Sequence, residues 1–182
     1  MRLKNEQYEE IKRAVIDTFI EYDIRCIPIN AFEIAVKMGL IIIPYSALNE
    51  EQLDASMRFS EDGFSMEKKN GEWTIYYNDM CQNYGRINQT IMHEIGHYVL
   101  GHINEGDEEV AEAKFFAKYA LVPPPLVHNM GREANPDSIM NVFQVSYEAA
   151  TYAYDYYLNW LNFGDPDYTK YERKMLELFN VA

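Results

Sequence analysis

Histidine is scarce in this chain, yet three of its four histidines fall within one decapeptide, HEIGHYVLGH, from His93 to His102. His93 and His97 are four residues apart. On a helix they share a face one turn apart and can present ring nitrogens to a single metal ion. Glu94 follows the first histidine, where a carboxylate can take a proton from a metal-activated water and pass it to a leaving amine. That chemistry needs a helix. Ile91, Ile95 and Val99 supply its apolar stripe and Gly101 a natural stop. Gly96 weakens such a helix, which implies a neighbour packed too close to admit a side chain there.

Two histidines do not complete a catalytic metal site, which takes three protein ligands and leaves a further position open. His102 is mis-spaced by one for the HExxHxxGxxH pattern, because Leu100 and Ile103 stand where that pattern needs glycine and histidine. At the carboxyl end of a glycine-terminated helix it reads as a structural or surface residue. His128, just past three prolines, reads the same way. Cys26 and Cys81 lack CxxC spacing and indicate neither a sulfur-ligated metal nor a disulfide framework. A carboxylate from the following helix is the better candidate. The segment EGDEEVAEAKFFAKYALVP offers Glu105, Glu108, Glu109 and Glu112, although acids in a first helical turn are also favoured by the helix dipole alone.

The elements around this segment set the fold class. Tyr8, Ile11, Val15, Phe19 and Tyr22 recur at helical spacing and predict an amphipathic helix over residues 5–22. Asn30 and Glu33 resemble a capping box for a second helix that Gly39 stops. LIIIPY reads as a short buried strand ended by Pro44. From Ala55 to Asn78, ASMRFS and GFSMEKKNGEWTIYYND are rich in strand formers, and Asn70-Gly71 between two such runs signals a hairpin. After residue 84 the pattern is helical almost to the end. These readings predict a single α+β domain over residues 1–182, with a catalytic core at about 30–130 and a helical extension at about 131–182. The expected core is a small mixed or antiparallel sheet of three or four strands packed on the HExxH helix.

Composition narrows the function. A net charge of −13 repels phosphate backbones, so direct nucleic-acid binding is not expected, whereas a basic protein partner suits the field. The amino terminus lacks the apolar stretch of a signal peptide and no apolar run approaches the ~20 residues of a membrane span, so a cytoplasmic protein without membrane contact is expected. SIMNVFQVSYEAATYAYDYYL has a helix-turn-helix-like layout. The helix that would enter a groove nevertheless carries Glu148 and Asp155 and no Lys or Arg, which argues against a DNA-binding regulator. Oligomeric state is not legible at this level.

HEIGHYVLGH, EAKFFAKYALVP from Glu112 to Pro123, and FQVSYEAA from Phe143 to Ala150, in this order, resemble the ImmA/IrrE family of metallo-endopeptidases. EWTIYYND resembles the strand that precedes that family's zinc helix. The resemblance covers roughly residues 30–160. It implies a cytoplasmic, gluzincin-like endopeptidase with one Zn2+ ion, often tied to mobile elements or stress responses, that cleaves a helix-turn-helix transcriptional repressor. His93 and His97 would bind zinc and Glu94 would act as general base. In the family pattern the liganding glutamate stands three residues before the alanine matched by Ala113, and here that position is Val110. On a helix Glu109 lies about 100° from that direction and Glu112 about 160° from it in the opposite sense. Glu109 is the nearer substitute, Glu112 the alternative, and absence of any glutamate ligand the third possibility. The edge of the strand holding Ile75, Tyr76 and Tyr77 is a candidate to bind the substrate backbone as an added strand. A second functional reading follows from Val110: a catalytically impaired member that binds a repressor without cutting it.

Overall fold

An amphipathic helix, α1 (Asn5–Glu21), opens the chain and buries Ile11, Val15, Ile16 and Phe19, the stripe expected from their spacing. The computed structural model describes residues 2–69, 71–103, 106–164 and 167–181. A second helix, α2 (Ala31–Lys37), starts where the Asn30 side chain accepts hydrogen bonds from the backbone of Phe32 and Glu33. It gives way to strand β1 (Ile41–Pro44).

The stretch at Ala55 departs from expectation. ASMRF belongs not to the sheet but to a helix, α3 (Glu50–Phe59), because Asn49 and Gln52 form a reciprocal capping box and Glu50 and Glu51 occupy the first turn. The residues that follow agree with these start signals, since Gln52, Leu53, Ala55, Met57 and Arg58 are all good helix formers.

Strands β2 (Gly63–Glu67) and β3 (Trp73–Tyr77) form the expected hairpin, with Ser65 opposite Ile75. Gly71 adopts a φ of 80° in the turn, whereas Asn70 lies outside the described residues. Strand β1 joins the other side of β3 in parallel, with Ile42 opposite Ile75, so the sheet is mixed and ordered β1-β3-β2. This order corrects the expectation for Ile75, Tyr76 and Tyr77. They sit on the central strand, paired on both sides, and offer no free edge to a peptide. The edges belong to β1 and β2, and β2 is the one beside the histidine helix's cleft.

One face of the sheet packs on α4 (Tyr84–Val99), which carries the histidines. Asn88, on its buried face, accepts a hydrogen bond from Ala31 N at 2.7 Å and donates one to Ile29 O at 3.0 Å, fixing α4 against the start of α2. Helix α5 (Asp107–Leu121) crosses α4 and packs on α1. Five further segments complete the chain: α6 (Pro124–His128), α7 (Pro136–Phe143), α8 (Tyr147–Phe163) and α9 (Lys170–Leu178), with a short 3-10 turn at Gly131–Glu133. Phe143, Ala150, Met175 and Phe179 are buried in the same apolar cluster as Ile91, Ile95 and Phe116, so the carboxyl-terminal helices share the core of the site-bearing elements.

Gly96 lies where α5 packs against α4. A Cβ there would stand 3.2 Å from Ala113 Cα and 3.2 Å from Phe116 Cβ, tighter than most packed carbons, so α5 would have to give way slightly. Gly96→Val is expected to destabilise the protein by about 1–3 kcal/mol through overpacking. Urea unfolding that shows an unchanged midpoint would contradict this account of the helix crossing.

Candidate metal centre

Helix α4 starts at Asn83, whose side chain accepts from Arg86 N, and it turns one face into a cleft of about 530 Å³. Arg86, Gln89, Thr90, His93, Glu94 and His97 line that cleft at helical spacing. Across from them stand Gly63 and Phe64 of β2, and Val110, Lys114 and Ala117 of α5.

The two imidazoles converge, with His93 Nε2 and His97 Nε2 3.2 Å apart. Their outer nitrogens are already engaged. His93 hydrogen-bonds the backbone of Ala113, and His97 Nδ1 lies 2.9 Å from His102 Nδ1. His102 Nε2 in turn lies 3.0 Å from Glu112 Oε2. A carboxylate can only accept, so His102 carries its proton on Nε2; with His102 neutral, its Nδ1 accepts and His97 Nδ1 donates. His97 Nε2 is then left with a lone pair facing the cleft. The backbone hydrogen bond raises the pKa of His93, which marks the ring as donor there, so its Nε2 also presents a lone pair. Two lone pairs at this distance repel unless a cation lies between them.

This arrangement fits a metal ion on two of its coordination positions. Metal–imidazole bonds of about 2.0–2.1 Å at a tetrahedral angle place two nitrogens about 3.3 Å apart. Burial, reinforced by the neighbouring cationic or ring groups, pushes both pKa values down to about 4, so both rings are neutral at pH 7, as ligands must be. For His93 the Lys114 ammonium adds to the effect of burial. For His97 the additional push comes from His93 and His102.

Glu94 shares the cleft and is 4% exposed. Ser65 Oγ, on the edge strand, donates to Glu94 Oε2 at 2.6 Å and orients the carboxylate.

The structure does not bring Glu109 or Glu112 into the cleft. Glu109 folds back on the start of α5, its Oε2 2.5 Å from where a Cβ on Gly106 would stand, at the positive end of the helix. Glu112 is held from two sides, by His102 and by Gln7 of α1, whose Nε2 donates to Glu112 Oε1 at 2.8 Å. Glu108 accepts from the same Gln7 nitrogen, and Glu105 lies outside the described residues. Among the described residues no group of three or more His, Cys, Asp or Glu side chains is assembled to hold a metal. The α5 positions facing the imidazole pair are Val110 and Lys114.

Sequence reasoning assigned no role here to Ser65, Gln7 or Lys114, and it read His102 as structural or surface. The side chain of His102 is only 7% exposed. Gly101, at a φ of 69°, turns the chain so that His102 N donates to His97 O at 3.0 Å and the ring falls beside that of His97. A Gly-His pair directly after the last ligand was the available signal. His128 lies elsewhere, with its Nδ1 3.0 Å from Tyr157 Oη among the rings of Trp160 and Tyr168.

A helix that turns two neutral imidazoles and a buried carboxylate into one cleft, beside an open strand edge, has the layout of a metallopeptidase site. The family model of the IrrE N-terminal-like domain, a peptidase family, matches residues 51–154, more than half of the chain, and the chain belongs to this family of metallopeptidases. The match runs from α3 into α8; α1, α2, β1 and α9 lie outside it. No curated protein is similar enough to the chain to count as a match. No helix among the described residues is long and apolar enough to cross a membrane.

Two measurements address this geometry. His102→Ala and Glu112→Ala are each expected to weaken metal affinity about 10–100-fold, since outer partners orient a liganding imidazole. Glu109→Ala is expected to leave it unchanged. Competition with a chromophoric chelator checks both, and a large loss confined to Glu109→Ala would reverse the assignment. The metal-free protein is also expected to lose stability as pH falls from 6.5 towards 4, because the folded pKa values of His93 and His97 lie below the ordinary 6.5 and the unfolded chain binds more protons in that window. Urea midpoints across this range should fall less steeply when both histidines are replaced by glutamine.

Proposed function

We propose that this protein is a zinc-dependent endopeptidase acting in the cytoplasm on a protein substrate, a DNA-binding repressor of the helix-turn-helix kind tied to a mobile element or a stress response. The observation that carries the peptidase reading is the convergence of two imidazole nitrogens, 3.2 Å apart, with a buried carboxylate in the same cleft. His93 and His97 would hold the ion. When bound, zinc supplies Lewis acidity towards water and the scissile carbonyl. Glu94 takes a proton from the attacking water on its carboxylate and returns it to the leaving amine, and Ser65 keeps that carboxylate aimed. The outer edge of β2 beside the cleft suits a substrate backbone bound as an added strand. The net charge of −13 suits a basic partner such as a DNA-binding protein.

One observation favours a second reading. Val110 faces the imidazole pair and neither Glu109 nor Glu112 does, so the described chain supplies two ligands where catalytic zinc sites have three. A protein so altered would bind a repressor without cutting it.

Zinc content and cleavage separate the two. Under the first reading the protein, purified without chelator, retains about one zinc per chain, and Glu94→Gln keeps that zinc while cleavage of the repressor falls at least ~100-fold. Val110→Glu is expected to raise zinc affinity. A parent protein that takes up no zinc even after loading, yet retains the repressor intact, would establish the binding module instead.

A further inference from the structure

Gln89 lines the cleft and also a larger cavity of about 750 Å³ between α1, α5 and α8, so the two spaces share one side chain. Helix α5 is their common wall. Val110, Lys114 and Ala117 face the cleft, whereas Phe115, Lys118 and Tyr119 face the cavity.

Aromatic and aliphatic side chains make up most of the cavity lining, with Glu9, Lys12 and Glu148 among its polar members. Tyr8 and Phe115 meet edge to face with centroids 4.6 Å apart, and Phe115 also meets Tyr156 at 5.8 Å. Lys118 closes the rim with its ammonium 4.9 Å from the Tyr152 ring centroid. Its volume falls within the range of about 300–1,000 Å³ typical of pockets that bury organic groups.

Position identifies the occupant. Gln89 precedes His93 by four residues, about 6 Å along the helix. An extended peptide advances about 3.3 Å per residue. A substrate running along α4 would therefore bring a side chain about two residues from a bond held at His93 beside Gln89, the residue that both spaces share. The α1 wall lies outside the residues that the family model matches.

We propose that this cavity is a specificity pocket that receives an aromatic or long aliphatic side chain of the substrate, close to the bond that is cut. The proposal rests on the peptidase reading. Ala149 and Ala153 of α8 line the cavity, and replacing either with tryptophan would fill it.

The test uses the zinc-loaded full chain and a pool of random-sequence peptides, with product termini read by mass spectrometry. The parent is expected to favour aromatic or long aliphatic residues at one position within about three residues of the cut. Ala149→Trp and Ala153→Trp are each expected to reduce that preference about tenfold or more. Circular dichroism shows whether each variant folds. Cleavage without such a preference, or a preference that survives both fillings in folded protein, would overturn the proposal.

A second readout does not depend on cleavage. The fluorine resonance of N-acetyl-4-fluorophenylalanine amide should broaden on adding the Glu94→Gln protein and stay sharp when either alanine is also tryptophan. Absence of broadening with Glu94→Gln alone would likewise overturn the pocket. If no peptide is cut but the probe binds and the fillings block it, the peptidase reading fails while the cavity stands as a side-chain site.

Discussion

The contact between α4 and α5 at Gly96 governs the rest of the site. Because no side chain intervenes there, α5 approaches until Ala113 Cα and Phe116 stand at the limit of contact with α4. That closeness lets His93 reach the backbone of Ala113 and puts Val110 and Lys114 directly opposite the imidazole pair. A glycine that lowers local helix propensity is retained at a helix crossing whose closeness gives the site its shape.

Polar groups then lock what packing brings near. His97 is held through His102 and Glu112 to Gln7, a hydrogen-bonded line running from the cleft to the first helix. Each member is at least partly shielded from water, where an unpaired polar group is costly, so the line holds the His97 ring in place. Ser65 plays the corresponding part for Glu94 from the strand side. The site is therefore assembled by four elements, α1, α4, α5 and β2, although the motif resides on one.

The same crossing explains why two cavities share a wall. With α5 pressed on α4, its face towards β2 bounds the cleft and its face towards α1 and α8 bounds the aromatic cavity. Four lysine and arginine side chains, Lys12, Arg86, Lys114 and Lys118, and four acids, Glu9, Asp62, Glu94 and Glu148, line these spaces, so their lining is closer to charge balance than a chain of net charge −13 as a whole.

Periodicity and local start and stop signals determined much of the architecture. The stripe of α1, the Asn30 cap of α2, the hairpin around Gly71 and the helix bearing His93 and His97 follow from neighbours in the chain, where the physics is short-ranged. The need for a close neighbour at Gly96 was also legible, because glycine inside a helix is unfavourable without one. Strand order was not legible. The hairpin alone leaves one side of β3 and one side of β2 free, and only the parallel pairing of β1 with β3 made Ile75, Tyr76 and Tyr77 central and left β2 an edge beside the cleft. The capping box at Asn49 and the helix formers after it were visible in the sequence, and grouping ASMRFS with the strands that follow overlooked them. The placement of acids was decided by tertiary structure alone. Helical angles put Glu109 about 100° and Glu112 about 160° from the ligand direction, and the helix start holds the first while His102 and Gln7 hold the second. Those partners come from a turn after α4 and from a helix about 100 residues away, and such long-range competition for a carboxylate leaves no periodic trace in the chain.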